Sequence, residues 1–247
     1  MAGPGRLLAF DTSTERLAVA VQGPAGRLTA DEAGGAAASS ALLPCIERLL
    51  DQAGLVWTDL DAIAFGRGPG AFTGLRTSCA VAQGLAVGLA KPLLPIDSLL
   101  IVAEDARQQA ALGAPVLDID IVMDARMGEV YTGRFTWLEG CWVATTAAAL
   151  ESPQALFARW RGRPPAALAG SALSALPDWP WCEAAPADRQ WSGEASRANA
   201  LIALAETGWF AGATVEASQA LPTYLRNKVA LTTAERDAAR RAAATAA

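Results

Sequence analysis

Gly66-Arg67-Gly68-Pro69-Gly70-Ala71-Phe72-Thr73-Gly74-Leu75-Arg76 is the stretch whose reading decides the fold. It follows a short apolar, strand-like run, Ala62-Ile63-Ala64-Phe65, and it opens a long apolar helix. Four glycines within nine residues let the backbone turn sharply and approach a neighbour closely. The helix start beyond them offers unpaired N–H groups and the positive end of a dipole, suited to a phosphate or a tight subunit contact. Taken alone the signal is weak, because Gly-rich turns between a strand and a helix are common.

Its company makes it specific. Upstream, Leu7-Leu8-Ala9-Phe10-Asp11-Thr12-Ser13-Thr14 is an apolar strand ending in an acidic, hydroxyl-rich turn, and Leu17-Ala18-Val19-Ala20-Val21 is a second strand. Downstream, Asp124-Ala125-Arg126-Met127-Gly128-Glu129-Val130-Tyr131 repeats the logic: an Asp ending an apolar run, a tight turn, a new strand. Near the end stands Pro222-Thr223-Tyr224-Leu225-Arg226.

These four segments, in this order and spacing, resemble the TsaB (YeaZ) family of tRNA threonylcarbamoyladenosine biosynthesis proteins. The likeness spans residues 7 to 226 and is faint between about 135 and 215. It implies a non-catalytic relative of TsaD, the transferase that places threonylcarbamoyl on N6 of adenosine 37 in tRNA. The implied partners are a TsaD-type catalytic subunit and a TsaE-type ATPase, with a homodimer when the chain is alone and tRNA met only through the complex. No cofactor is implied for the chain by itself, with room for ATP or ADP and magnesium at the level of the complex.

Composition narrows the function classes. The chain has 247 residues, enough for one large or two small cores. A net charge of −5 and a pI near 4.9 argue against a dedicated nucleic-acid surface. The four cysteines, Cys45, Cys79, Cys141 and Cys182, form no Cys-x-x-Cys pair, which disfavours zinc knuckles and dithiol redox motifs. No signal peptide is visible, and the apolar run from Cys79 to Ala90 is too short for a bilayer, which needs roughly 20 residues. The expected location is the cytoplasm, away from membranes. Histidine is absent altogether, which removes Ser-His and Cys-His nucleophile pairs and His-ligated metals.

The order of elements predicts an α/β fold. Leu7–Asp11, Leu17–Gln22 and Arg27–Asp31 form a meander, followed by helix Ser39–Ala53, strand Ala62–Phe65, helix Thr73–Ala90, strand Leu93–Ile96 and helix Ser98–Ala111. That order, and the resemblance, give a ribonuclease H-like module of the actin, sugar-kinase and Hsp70 superfamily (ASKHA). Val116–Met123, Glu129–Phe135 and Cys141–Ala144 begin a second, reduced copy, and Ala198–Phe210 is a helix. The expected organisation is residues 1–112, a reduced module over 113–215, and a segment 216–247 that partly returns to the first module. Ala234 to Ala247, rich in Ala and Arg, is expected to fray or stay disordered. Six of the eight tryptophans lie between Trp137 and Trp191, where ordinary packing is expected.

In active members of the superfamily an Asp ending the first strand holds magnesium or positions water. Asp11, Thr12 and Ser13 stand at that place, and Asp124 offers a second carboxylate. With Arg67, Gly68, Arg76 and Arg126 they make up the candidate nucleotide cleft. The alternative is that the acids cap turns and the arginines form salt bridges. No catalytic residue and no metal ligand is assigned. The stretch Ile96-Asp97-Ser98-Leu99-Leu100-Ile101 stands where TsaD carries a metal-binding His-x-x-x-His, and it has no such pair.

Ala80, Gly84 and Gly88 recur every four residues and flatten one face of the second helix. That face meets either the sheet or another subunit; the resemblance implies the latter. Leu42, Leu43 and Ile46 on the first helix, with Phe72, Ala80, Gly84 and Gly88 on the second, are the candidate partner interface. The first helix departs from the family at its entry: members often show His-Ser before Leu-Leu-Pro, whereas this chain reads Ala38-Ser39-Ser40-Ala41-Leu42-Leu43-Pro44. The rival reading is a free-standing, Mg-ATP-dependent enzyme of the sugar-kinase class using Asp11 and Asp124. A peptidase lacks histidine, a metal pair and a Ser-Lys arrangement.

Overall fold

Alternation of side chains along the first strands explains the central layer. In the computed structural model, which describes residues 5–110 and 116–226, β1 (Leu7–Asp11), β2 (Arg16–Gly23) and β3 (Gly26–Ala33) form an antiparallel meander. Helix α1 (Ala38–Ala53) leads to β4 (Ala62–Gly68), α2 (Phe72–Leu89), β5 (Leu93–Asp97) and α3 (Ser98–Gln109). The sheet order is β3-β2-β1-β4-β5, with β1 parallel to β4 in the register Phe10 to Phe65.

Successive side chains of a strand point to opposite faces, so each face has its own core. Leu8, Phe10, Val19, Ile63 and Phe65 meet Leu42, Ile46 and Leu49 of α1 and Cys79, Ala82 and Ala86 of α2. The other face is lined by Ala9, Ala18, Ala20, Ala62 and Ala64, whose short side chains leave a shallow seat. Helix α7 (Arg197–Phe210) settles into it through Ala198, Leu201 and Ala205.

The second sheet has the order β10-β9-β6-β7-β8. It is built from β6 (Val116–Asp124), β7 (Val130–Leu138), β8 (Cys141–Glu151), β9 (Leu168–Ala169) and β10 (Gln190–Trp191). Helix α4 (Pro153–Trp160) and the single turns α5 (Ala172–Ala175) and α6 (Trp181–Ala184) complete it. Leu99, Val102 and Ala106 of α3 pack on Leu117, Ile119 and Ile121, so α3 joins the two sheets. On the opposite face Trp160 and Trp181 are buried against Val122 and Leu168, with Phe157 stacked on Trp179 at 5.5 Å.

Several expectations need correction. Leu42 and Ile46 are fully buried beneath the sheet and cannot serve a partner. They share one helical stripe with Leu49, whereas Leu43, one residue on and about 100° around the helix, is exposed. Strand β8 runs to Glu151, well past Ala144, and its pairing with β7 shifts register twice between Thr132 and Phe135. Helix α4 was not anticipated, although Ser152 as N-cap and Pro153 in the first turn are its signal. The boundary at 112/113 and the tail 234–247 lie outside the described residues.

Candidate functional site

A cleft of about 630 Å³ opens between the two sheets. Leu99, Val102 and Ala106 of α3 line one wall, Met123, Asp124 and Tyr131 the other, and Ser13 and Arg197 lie at its floor. Arg126 lines its mouth, whereas Asp11 and Thr12 are buried beneath the surface. Arg76 is exposed and engages Phe72 and Tyr224 at the rim without lining the cleft, and exposed Arg67 borders a separate groove with Asp97, Leu100 and Trp137. The structure therefore divides the candidate residues between two places.

The turn after β1 is tied down from all sides. Asp11 Oδ1 accepts the Ser13 N–H at 2.6 Å, and Oδ2 accepts Ser13 Oγ at 3.0 Å. Arg197, at the start of α7, donates Nη2 and Nε to the same Oδ2 at 2.7 and 3.0 Å. Its Nη1 reaches Glu194 at 2.7 Å. Burial works against the Arg197 charge, yet Glu194 and Asp11 outweigh it and raise its pKa. The sequence reading missed Arg197. A cation in the first turn of an apolar helix, where the dipole disfavours it, was the available signal.

The glycines of the 66–76 stretch serve this turn. A Cβ at Gly66 would overlap the Asp11 carboxylate, and one at Gly74 the Thr12 carbonyl. Thr12 Oγ1 donates to the Gly74 carbonyl at 2.7 Å, Ala71 N–H to the Ser13 carbonyl at 2.8 Å, and Gly68 N–H to Ser98 Oγ at 3.0 Å. Gly68, at φ 105°, occupies a conformation that favours glycine. The close approach that the glycines permit is thus between two loops of this chain.

In the β6–β7 turn Asp124 Oδ1 accepts the Arg126 N–H at 2.8 Å, and Asp124 N–H donates to Ser171 Oγ at 3.1 Å. Arg126 reaches Glu15 across the cleft mouth at 3.0 Å, but the two side chains are 72% and 77% exposed. Such a pair contributes little. Arg76 donates Nε to the Tyr224 hydroxyl at 3.2 Å and stacks 3.8 Å above the Phe72 ring.

Asp11 does not fit a divalent cation. Its Oδ2 already accepts three donors, and a guanidinium lies where a metal would approach. Among the described residues, no group of three His, Cys, Asp or Glu side chains has metal-holding geometry. No helix among them is long and apolar enough to cross a membrane.

The outer face of α2 is different in kind. Ala80, Gly84, Val87 and Gly88 are all exposed, and a Cβ added at Gly84 or Gly88 would meet nothing within 4 Å. The inward stripe of the same helix is Leu75, Cys79, Ala82 and Ala86. Between the two readings of the small-residue face, the structure turns it to solvent, with Phe72 half-buried at its N-terminal end.

Residues 33–232 match the family model described as TsaD: tRNA N6-adenosine threonylcarbamoyltransferase. The chain is 31% identical over 234 residues to the tRNA threonylcarbamoyladenosine biosynthesis protein TsaB of Escherichia coli (strain K12), covering 91% of this chain and 96% of that one. A TsaB protein of Haemophilus influenzae is 40% identical over 127 residues, 51% of each chain. The solved structure of YeaZ from Pseudomonas aeruginosa superposes with a TM-score of 0.76 at 37% identity, covering 90% of this chain and all of that one.

Proposed function

We propose that this chain, which belongs to the TsaB family, is a non-catalytic scaffold of tRNA N6-threonylcarbamoyladenosine synthesis, docking on a TsaD-type catalytic subunit. The observation that carries the reading is the outward, side-chain-poor face of α2 at Ala80, Gly84 and Gly88. Small residues let another helix come close. Leu43 of α1 and Phe72 extend this face; Leu42 and Ile46 do not.

The same face is the homodimer seam of the free chain and the docking seam of the complex. A TsaE-type ATPase joins the assembled pair, which meets tRNA in the cytoplasm. ATP or ADP and magnesium belong to that complex. We read the first sheet, with helices on both faces, as a ribonuclease H-like module of the ASKHA type, and the second as its reduced copy. The Asp11–Arg197 pair weighs against the sugar-kinase alternative, because it occupies the carboxylate such an enzyme would use.

The test is mass by light scattering after gel filtration of the chain mixed with TsaD from the same organism. A one-to-one complex is expected, lost in Gly84→Arg, whose thermal midpoint should be no lower than the parent's. Absence of any complex, with or without ATP and magnesium, would overturn the reading.

A further inference from the structure

A strap crosses the open side of the cleft. It starts at Ala220, which is fully buried, with its carbonyl accepting from Gln83 Nε2 at 3.0 Å and Cys79 Sγ at 3.2 Å. Thr223 N–H then donates to the Arg67 carbonyl at 2.7 Å, and a Cβ at Gly68 would come within 2.8 Å of the Thr223 carbonyl. The Tyr224 ring lies 5.2 Å from that of Phe72, at the N-terminal end of α2. Arg226 finally reaches the β6–β7 turn on the second sheet. Its Nη2 lies 2.7 Å from the Glu129 carboxylate and 3.1 Å from the Ala125 carbonyl it donates to.

On the opposite side of the cleft the sheets are joined by the apolar packing of α3, a continuous seam. On the open side, the ion pairs that bridge the two sheets among the described residues are the exposed Arg126–Glu15 pair and, from this strap, Arg226–Glu129. A packed seam on one side and a short polar tie on the other is the arrangement of a hinge with a clasp.

We propose that residues 222–226 are a clasp that fixes the width of the cleft, with Arg226 as its positioning residue. Arg226 acts through the β6–β7 turn, which carries Asp124 and Arg126. Phe72, Arg76 and Tyr224 stand at the end of the outer face of α2, so a partner docked there touches the clasp; this last step rests on the docking face proposed above. The clasp couples that face to the cleft.

The test uses the full chain with Cys141→Ser and Cys182→Ser, spin-labelled at Val56→Cys and Val143→Cys. These two sites are 61% and 51% exposed and lie on the two sides of the cleft. Pulsed electron resonance should give one narrow distance in the parent, and a longer, broader distribution in Arg226→Ala. Glu129→Gln, which removes only the ion pair, should give an intermediate result and guards against misfolding of the first variant. Superimposable distributions in all three proteins would overturn the clasp. The measurement is made on the free chain, so failure to bind a TsaD-type partner would bear on the docking reading alone.

Discussion

Arg197 closes on Asp11 across 186 positions of sequence, with Nη2 2.7 Å from Oδ2 and both side chains almost wholly inaccessible to solvent. The pair joins the last described α-helix to the end of the first strand, and Arg197 lies at the floor of the cleft with Asp11 buried beneath it. A carboxylate that the sequence offered as a cation site already has its counter-ion.

Removing one partner of a buried pair leaves the other charge uncompensated. Arg197→Met is expected to cost about 3–5 kcal/mol of stability in urea unfolding. A variant as stable as the parent would show that the pair does not hold the fold. Asp11→Ala should be destabilised for the same reason. It can separate a scaffold from a kinase only if stability is measured beside turnover.

Gly66→Ala and Gly74→Ala should be severe, because each new methyl would overlap backbone or a pinned carboxylate that cannot move away. Gly84→Ala is expected to do the opposite, adding about 0.5–1 kcal/mol to an exposed helix interior. Thermal midpoints of the three variants decide it. Equal effects at all three would contradict the division between an inward loop and an outward face.

Glu104 predicts an acid-side transition. Burial raises its pKa, but hydrogen bonds from Arg107, Gln108 and Trp142 outweigh this and leave it below the ordinary 4.5. A carboxyl held low in the folded state contributes stability above its unfolded pKa and loses it as pH falls through the folded value. Glu104→Gln should therefore be less stable at pH 7 and show a shallower decline below pH 4.5. Denaturant midpoints across that range would show parallel curves if Glu104 had no part.

Trp142 donates its indole N–H to Glu104 at 2.9 Å and lies edge-on to Trp137 at 5.3 Å. Trp142→Phe keeps a six-membered aromatic ring but removes the donor together with the pyrrole half of the indole, which should cost at least about 1.5–3 kcal/mol, the range for a hydrogen bond to a charged group. A loss of only a few tenths of a kcal/mol, measured in urea, would show the bond is replaced by water.

Local patterns made the first half of the chain readable. Apolar alternation in Leu7–Asp11, the stripe of Leu42, Ile46 and Leu49, and Gly54 as a left-handed helix stop each act within a few residues. The segment from Trp137 to Trp191 resisted because its order comes from long-range contacts. Its short strands β9 and β10 have no pattern of their own, and its tryptophans pack on elements distant in sequence. In the site, Ser13, Asp124 and Arg126 come together at the cleft, whereas Arg67 and Arg76 do not.

By itself the sequence determined which residues turn, which alternate and which lack side chains, because these are properties of a few neighbouring bonds. It set the Gly-rich loop after a strand and the small residues along one helix. Only the tertiary structure decided what those features face. Whether Asp11 meets a metal or a guanidinium, and whether Gly84 meets a sheet or solvent, depends on elements far along the chain. Arg197 pairs with Asp11 because α7 seats itself on an alanine-lined face of the sheet, a fit that no local window contains.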